Sequence, residues 1–521
     1  MKNERFGLLD VGSNTIRLVI FEMDEHHSIF ELQNIKTPAR LVQYLDEDKV
    51  MSEEGIQVLL TVLRSFLDIA DRYDITKSRA IATAAIRQST NREAIIKRVN
   101  DELGLELEIL PEEREAFYGN YAVRHTMDIM DGISIDIGGG STELTLYKNK
   151  EVKSSHSFPF GAVSLQNQFF DGKQHNDKKA IEKARSWVNK QFKSLDWVKS
   201  AAVPLVGIGG SARNYADIHQ RQINYPIAGI HEYRMTPKEL METFDLLTSS
   251  SMDELSDLDG LSEDRRDIII PAGIVFTELM AVMKSKGFVI SSRGLREGIM
   301  IEQLNDMYDE PYDLYGVKRQ TVQRLFNQYN IRTISAHQRI ILADRLIAML
   351  KEKEIVSVKD KHLYLVHYAA TLYYLGSYIE DDSESQHTFY IISNSNLNGF
   401  SHRDRVRLAL LASYKNRSLL KQYLKDVEDW FDDEEKEVLL YLGCIIKFAE
   451  ALNDSHVNFV EDICIKEGKD DDYELHITYK GNAIAEEYRA NKHKNHLERV
   501  LGKPLTLVFH SDSDGPSLSE G

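Results

Sequence analysis

Two apolar rhythms alternate along the first third of the chain. Residues 6–11 and 16–21 are apolar, β-branched runs separated by Gly12-Ser13-Asn14-Thr15, which predicts strand, tight turn, strand. Over 52–73, Ile56, Leu59, Leu60, Leu63, Leu67 and Ile69 recur at helical spacing behind an acidic first turn. A short strand is predicted over 78–84 and a helix over 91–103. From about residue 308 the rhythm becomes helical. Residues 317–329, 336–353 and 363–378 carry stripes of Leu, Ile and Tyr, and helices are expected to continue to about 454, with the acidic 426–437 stretch as a solvated face. Mixed patterning returns over 458–508, with a strand at 472–479 and a helix at 493–501. The Ser/Asp/Gly-rich end, 511–521, reads as a frayed tail.

An internal repeat organises this pattern. Asp10-Val11-Gly12-Ser13-Asn14-Thr15-Ile16-Arg17-Leu18 aligns without gaps to Asp136-Ile137-Gly138-Gly139-Gly140-Ser141-Thr142-Glu143-Leu144, an offset of 126 residues (136 − 10). Two copies imply two similar α/β lobes, each offering a glycine-bearing turn to a shared cleft. Phosphate binding needs backbone N–H groups that point into one concavity, and glycine lets the chain approach closely. An aspartate ending the preceding strand can hold a hydrated divalent cation against the phosphates. One copy alone would read equally well as an ordinary hairpin turn; the duplication favours the phosphate reading.

At 521 residues the chain exceeds one hydrophobic core. The expected divisions are 1–125, 126–307, 308–455 and 456–521. No apolar run approaches the roughly 20 residues of a membrane span, and because residues 1–5 run straight into a strand-like segment no signal peptide is expected. Two cysteines, Cys444 and Cys464, exclude a disulfide framework, so a reduced cytoplasmic setting is expected. The formal net charge of −18 argues against nucleic-acid binding and confines any polyanion site to a local electropositive cleft.

The repeated turns resemble those of the exopolyphosphatase and guanosine pentaphosphate phosphohydrolase family, in the actin-like ATPase superfamily. The resemblance extends through Ala82-Thr83-Ala84-Ala85-Ile86-Arg87, Glu112-Glu113-Arg114-Glu115-Ala116, Gly207-Ile208-Gly209-Gly210-Ser211, residues 261–271 and Gly294-Leu295-Arg296-Glu297-Gly298, and more weakly through 394–400. It implies two actin-like (ribonuclease H-like) α/β lobes around a cleft, then an all-helical HD-like domain and a small α+β C-terminal domain. From the residues alone Glu112, Glu113 and Glu115 are equal candidates for the base that activates water; the resemblance selects Glu115. Asp136 and Glu143, with Asp10 close by, are the metal candidates, and oxygen-only ligation beside phosphate favours Mg²⁺ or Mn²⁺. The phosphate contacts expected are Gly12, Ser13, Asn14 and Thr15; Gly138, Gly139, Gly140 and Ser141; and Gly209, Gly210 and Ser211. Arg17 and Arg87 are expected to neutralise phosphate oxygens.

Three departures qualify this picture. Residues 207–212 fit a loose dinucleotide fingerprint, but 224–230 lacks the acidic residue that fingerprint expects, so a third phosphate-facing loop is the better reading. Where the HD-like family carries its adjacent His and Asp, this chain has Tyr373-Tyr374; His367 and His387 remain and Lys415 replaces a later histidine, so that domain is expected to be catalytically dead. Ser164 stands where the family has an arginine. The resemblance implies an exopolyphosphatase acting on inorganic polyphosphate, expected to be a homodimer. Guanosine pentaphosphate (pppGpp) is the alternative substrate, and a superfamily kinase or a phosphate-signal sensor fits less well.

Overall fold

The structure, a computed structural model, describes residues 4–25, 29–309, 311–468 and 472–511. The tail expected beyond Ser511 lies outside them. The chain divides into two compact units, Met1–Tyr225 with Ile230–Val317, and Pro226–Gly229 with Lys318–Gly521.

The first unit holds two sheets of matching topology. Strands β1 (Glu4–Val11), β2 (Thr15–Met23), β3 (Ile29–Pro38), β4 (Lys77–Ala82) and β5 (Leu107–Ile109) lie in the order β3-β2-β1-β4-β5. Strands β6 (Gly132–Ile137), β7 (Thr142–Lys148), β8 (Glu151–Phe158), β9 (Leu205–Ile208), β10 (Arg234–Met235) and β11 (Phe288–Ile290) lie in the order β10-β11-β9-β6-β7-β8. In each sheet an antiparallel hairpin is followed by a parallel crossover, β1 to β4 and β6 to β9. The 126-residue repeat survives as register: Asp10 pairs with Arg17 across β1–β2, and Asp136 with Glu143 across β6–β7.

Helices cover these sheets for reasons visible in their residues. Glu53–Arg72 is capped by Ser52, whose side chain accepts from Gly55 N–H, and buries Leu59, Leu60 and Leu63. Ile269–Met283 is apolar on nearly all sides and buried at every residue but Ala281, inside the second lobe. Two further helices join the lobes. Glu112–Thr126 contributes Tyr118 to a cluster with Phe6, Leu8 and Val19 of the first sheet, and Val123 to one with Val206 and Ile208 of the second. Leu295–Met307 adds Ile299, Met300 and Leu304 to the first of these clusters. The division expected at 125/126 therefore falls in the last turn of a helix that serves both lobes. Buried Lys150 ties that turn down by donating to the carbonyls of Arg124, Met127 and Leu314.

The second unit carries helices Thr333–Glu352, Asp360–Thr371, Glu384–Asn394, His402–Ala412 and Asp433–Ala451. A sheet of β12 (Val460–Glu467), β13 (Tyr473–Tyr479) and β14 (Leu505–Ser511) follows, backed by helix Ile484–Leu501, which is longer than the 493–501 segment expected. The helix expected through 363–378 breaks after Thr371. Tyr374 turns left-handed at φ 55°, its N–H donates to Ala412 O, and Gly376 N–H donates to Thr388 Oγ1, so tertiary hydrogen bonds override the helical pattern. The acidic 426–437 stretch is a tight turn leading into Asp433–Ala451, where Asp432 caps the helix and carboxylates suit its N-terminal dipole. Residues 84–88, expected partly as strand, form a short helix instead. Among the described residues no helix is long and apolar enough to cross a membrane.

The two joining helices cross at glycine. A Cβ on Gly298 would lie 2.0 Å from Tyr118 O. Gly298→Ala should therefore lose about 1–3 kcal/mol of stability through overpacking, outweighing the roughly 1 kcal/mol that alanine gains over glycine in a helix. Urea unfolding tests this; a raised midpoint would mean that the crossing is not tight.

Candidate active site

The two repeated turns are built alike. Gly12 N–H donates to Thr15 O at 3.0 Å and Gly138 N–H to Ser141 O at 2.9 Å. Their carbonyls are held from behind: Ala39 and Arg40 N–H donate to Asn14 O, and Val42 N–H to Ser13 O. In the second lobe Ala162 N–H donates to Gly138 O, and Val163 and Ser164 N–H to Gly139 O. Gly161 makes this approach possible, since a Cβ there would meet Gly138 O at 2.4 Å. No hydrogen bond among the described residues engages the N–H groups of Ser13, Asn14, Gly139 or Gly140. Ser164, the departure from the family arginine, has a local role: its Oγ accepts from Gly161 N–H.

A third loop opens the helix Gly209–Gln222 directly after β9. Gly209 sits at φ 86°, and a Cβ on it would lie 2.7 Å from Asp136 Oδ1, so glycine serves both the turn and the close approach. Helix Glu112–Thr126 passes on another side, with Gly119 next to Asp136 Oδ2 and Glu115 one turn earlier on the same face.

Acidic and cationic side chains from both lobes share this space. Burial raises the Asp10 carboxyl, against the lowering influence of Arg296 and Arg17. It raises Asp136 against Arg213 and Arg265. Glu143 is pushed up to about 8 by burial, with Asp136 and Glu115 adding repulsion, while Ser141 and Ser157 hydrogen-bond to it. Glu115 is pushed up to about 7 by burial, opposed chiefly by Arg87. Burial also lowers Arg17 and Arg213, and Arg296 lowers both further, so these three guanidinium groups stand near one another. Arg87 donates to Glu115 Oε2 at 3.0 Å, to Leu110 O at 2.7 Å and to Glu112 Oε1 at 3.4 Å. Three buried donors, Arg87 Nε, Arg296 Nη1 and Ser211 Oγ, have no hydrogen-bond partner among the described residues. Buried donors of this kind call for an acceptor, and phosphate oxygens are suitable ones.

Asp10, Glu115, Asp136 and Glu143 thus form one electrostatic group with Arg17, Arg87 and the third loop. Arg17 lies at the edge, donating to Asn34 Oδ1. Arg87 is engaged with Glu115 and Glu112 rather than standing free. Arg265 and Glu297 are additions. The Arg265 guanidinium lies against Gly210, where a Cβ would meet it at 2.8 Å, and Glu297 acts electrostatically on Asp10 and Arg213. Their only sequence signal was position inside the family-like segments. In the second unit Tyr373 and Tyr374 stack at 4.1 Å and both hydroxyls donate to Tyr414 O, while His367 pairs with Asp344. Among the described residues no group of three or more His, Cys, Asp or Glu side chains could hold a metal ion unaided.

Two α/β lobes of repeated topology, with matching turns and a shared cleft, define a protein of the actin-like ATPase fold. The chain belongs to the Ppx/GppA phosphatase family: that family's profile matches residues 19–307, and the profile of Ppx/GppA phosphatase, domain III, matches residues 317–490. A bifunctional 3-dehydroquinate synthase/phosphatase of Fusobacterium nucleatum is 28% identical over 305 residues, 56% of this chain and 46% of that protein, so the chain spans about half of that relative's length. A guanosine-5'-triphosphate,3'-diphosphate pyrophosphatase of Photobacterium profundum is 24% identical over 418 residues, 78% of this chain and 79% of that one. The crystal structure of the Aquifex aeolicus Ppx/GppA family member covers 59% of this chain and 99% of its own at 24% identity and TM-score 0.53. An exopolyphosphatase from Cytophaga hutchinsonii covers 58% and 98% at 22% identity and TM-score 0.52. At these identities the two structures are alike in fold.

The Arg87–Glu115 pair generates a pH prediction. Removing the guanidinium takes away a charge that favours the carboxylate, so Arg87→Met should move the Glu115 titration above its value of about 7. An NMR titration of Glu115 in the two proteins measures this, and an unchanged or lower midpoint in the variant contradicts the pairing.

Proposed function

We propose that the chain is an exopolyphosphatase, releasing orthophosphate from the end of inorganic polyphosphate, with Glu115 activating the attacking water. The observation that carries this reading is the buried Glu115 carboxyl, held 3.0 Å from Arg87 and pushed up to about 7 by burial, on a cleft where buried arginine and serine donors have no protein acceptor among the described residues. A general base works best when its pKa lies near the operating pH, and burial supplies that value here. The free N–H groups of the two turns and the Arg17, Arg213 and Arg296 guanidinium groups suit the oxygens of a phosphate chain. Glu115 takes the proton of the water that attacks the terminal phosphorus, and the arginines stabilise the charge that develops on the departing chain oxygen.

Asp136 and Glu143, opposite each other across β6–β7, are the donors we assign to a divalent cation, with Asp10 on the facing turn; no three such side chains converge among the described residues, so water and substrate oxygens would complete the shell. All three are hard oxygen donors whose buried charges lack full compensation, and Mg²⁺ is commonly held by one or two carboxylates, with waters and substrate phosphates completing its shell. Mg²⁺ or Mn²⁺ held there would neutralise phosphate charge during transfer. The same residues would serve hydrolysis of pppGpp. That second reading is favoured by the Photobacterium relative, whose match is longer than the first unit alone and whose name states that activity. Polyphosphate is preferred because a cluster of arginines on a chain of net charge −18 rewards repeated phosphates without a base to read.

Four measurements test these assignments. Glu115→Gln should lower kcat by at least roughly 10²-fold while polyphosphate still binds; near-normal kcat eliminates the base. The pH profile of kcat/KM should be active above about 7 and fall as pH drops through it, because only the ionised carboxyl accepts a proton. Asp136→Asn and Glu143→Gln should each raise the Mg²⁺ concentration for half-maximal rate, and identical titrations move the metal elsewhere. Phosphate release from long polyphosphate and from pppGpp, side by side, decides the substrate: a higher kcat/KM for the nucleotide replaces the first reading with the second.

A further inference from the structure

An ion pair joins the first sheet to a loop of the second lobe: Lys36 Nζ donates to Asp264 Oδ2 at 3.2 Å. Both ends belong to the cleft. Lys36 lies opposite Arg17 across β2–β3, and Arg17 lies opposite Asp10 across β1–β2, so the three side chains form a row on one face of the sheet. Asp264 precedes Arg265, whose guanidinium rests on Gly210 of the third loop. Two hydrogen bonds between Ser262 and Asn214 pin this segment to the helix that the third loop opens. Arg265 Nε stands 4.0 Å from Asp264 Oδ2, and the Asp264 charge also acts on Arg17. Burial would raise the Asp264 carboxyl, but the Lys36 bond and the charges of Lys36 and Arg265 hold it below the usual carboxylate range. Lys36 and Asp264 keep 37% and 32% of their side-chain exposure, so water reaches the pair and weakens it.

We propose that Lys36 is a further contact for the phosphate substrate and that Asp264 is its gate, a carboxylate holding the place of a substrate phosphate until one arrives. This rests on the phosphate-cleaving reading of the cleft, but not on the choice between polyphosphate and pppGpp. An ionised carboxylate and a phosphate oxygen take the same partners, ammonium and guanidinium donors. Asp264 has three such cations about it, Lys36, Arg265 and Arg17. It brings one charge on a single arm, whereas a run of phosphates brings a charge on every unit and engages all three cations together. Lys36 suits the exchange, because its ammonium is a point charge on a flexible stem and can swing from a carboxylate to a phosphate. Once the substrate is seated, Asp264 is a like charge beside it and is driven away from the cations. A neutral or singly charged compound lacks the charge to displace it, so the pair also selects for polyanions.

Steady-state kinetics of the full chain with long polyphosphate and with pppGpp, on Lys36→Met and Asp264→Asn, is the test. Lys36→Met removes a substrate contact, so KM should rise about ten-fold with kcat nearly unchanged, the scale of one lost charged hydrogen bond. Asp264→Asn removes the competitor, so KM should fall about three-fold, the scale of an exposed ion pair that no longer has to break. In Lys36→Met the fall of log kcat/KM with log salt should also lose about one unit of slope. Urea midpoints matching that of the natural protein check that both variants fold. A pair that only braces the two lobes shifts KM in the same direction in both variants, or acts on kcat; either result, or no change in either variant, overturns the gate. A preference for pppGpp with the opposite KM shifts intact changes the substrate and keeps the gate. If the natural protein hydrolyses neither compound, the reading of the cleft falls and the gate with it.

Discussion

A hairpin whose register puts two charged side chains directly opposite each other is the constraint on which the cleft depends. Across β1–β2 it couples Asp10 to Arg17, and across β6–β7 it couples Asp136 to Glu143. Residues opposite one another in an antiparallel pair point to the same side, so each hairpin delivers both its members to one face. A slip of one residue would turn them into the opposite layer. The turn bond from Gly12 N–H to Thr15 O, and its copy from Gly138 to Ser141, locks that register. The loop carbonyls are occupied from behind, which leaves N–H groups for the cleft.

Electrostatics then divides labour among similar groups. Asp10, Glu115, Asp136 and Glu143 all lose solvent, and each is raised by that loss, yet they differ in what opposes it. Glu115 has a guanidinium in direct contact, which keeps a buried carboxyl within reach of ionisation near neutrality. Glu143 has only hydroxyl partners and two negative neighbours, so it stays higher. Arg17 and Arg213 are themselves crowded, each lowered first by burial and then by the neighbouring Arg296 charge. A polyanion relieves that crowding, whereas a neutral ligand would not.

Helix Glu112–Thr126 connects this chemistry to the packing. Its N-terminal turn carries Glu112 and Glu115, its middle rests against Asp136 at Gly119 and against Gly298 at Tyr118, and its last turn is anchored by Lys150. Glu112, Glu113 and Glu115 are equivalent as an acidic first turn. The family resemblance selects Glu115, and the structure adds the physical difference: Glu115 is the more buried of the two carboxylates that Arg87 engages and takes its shorter bond.

By itself the sequence determined the local parts: the strands flanking each glycine turn, the duplication at 126 residues, and the Asp, Arg and Glu positions of both copies. These are legible because strand alternation, turn chemistry and family motifs are properties of neighbouring residues. Tertiary structure decided the partners. That Arg87 grips Glu115, that Arg265 lies on Gly210, and that Glu112–Thr126 serves both lobes are contacts between segments far apart in the chain. The helix predicted through 363–378 fails for the same reason, since the bonds that turn Tyr374 and Gly376 come from Ala412 and Thr388. Apolar spacing reports which face of an element is buried; it carries no record of which distant backbone or charge will meet it.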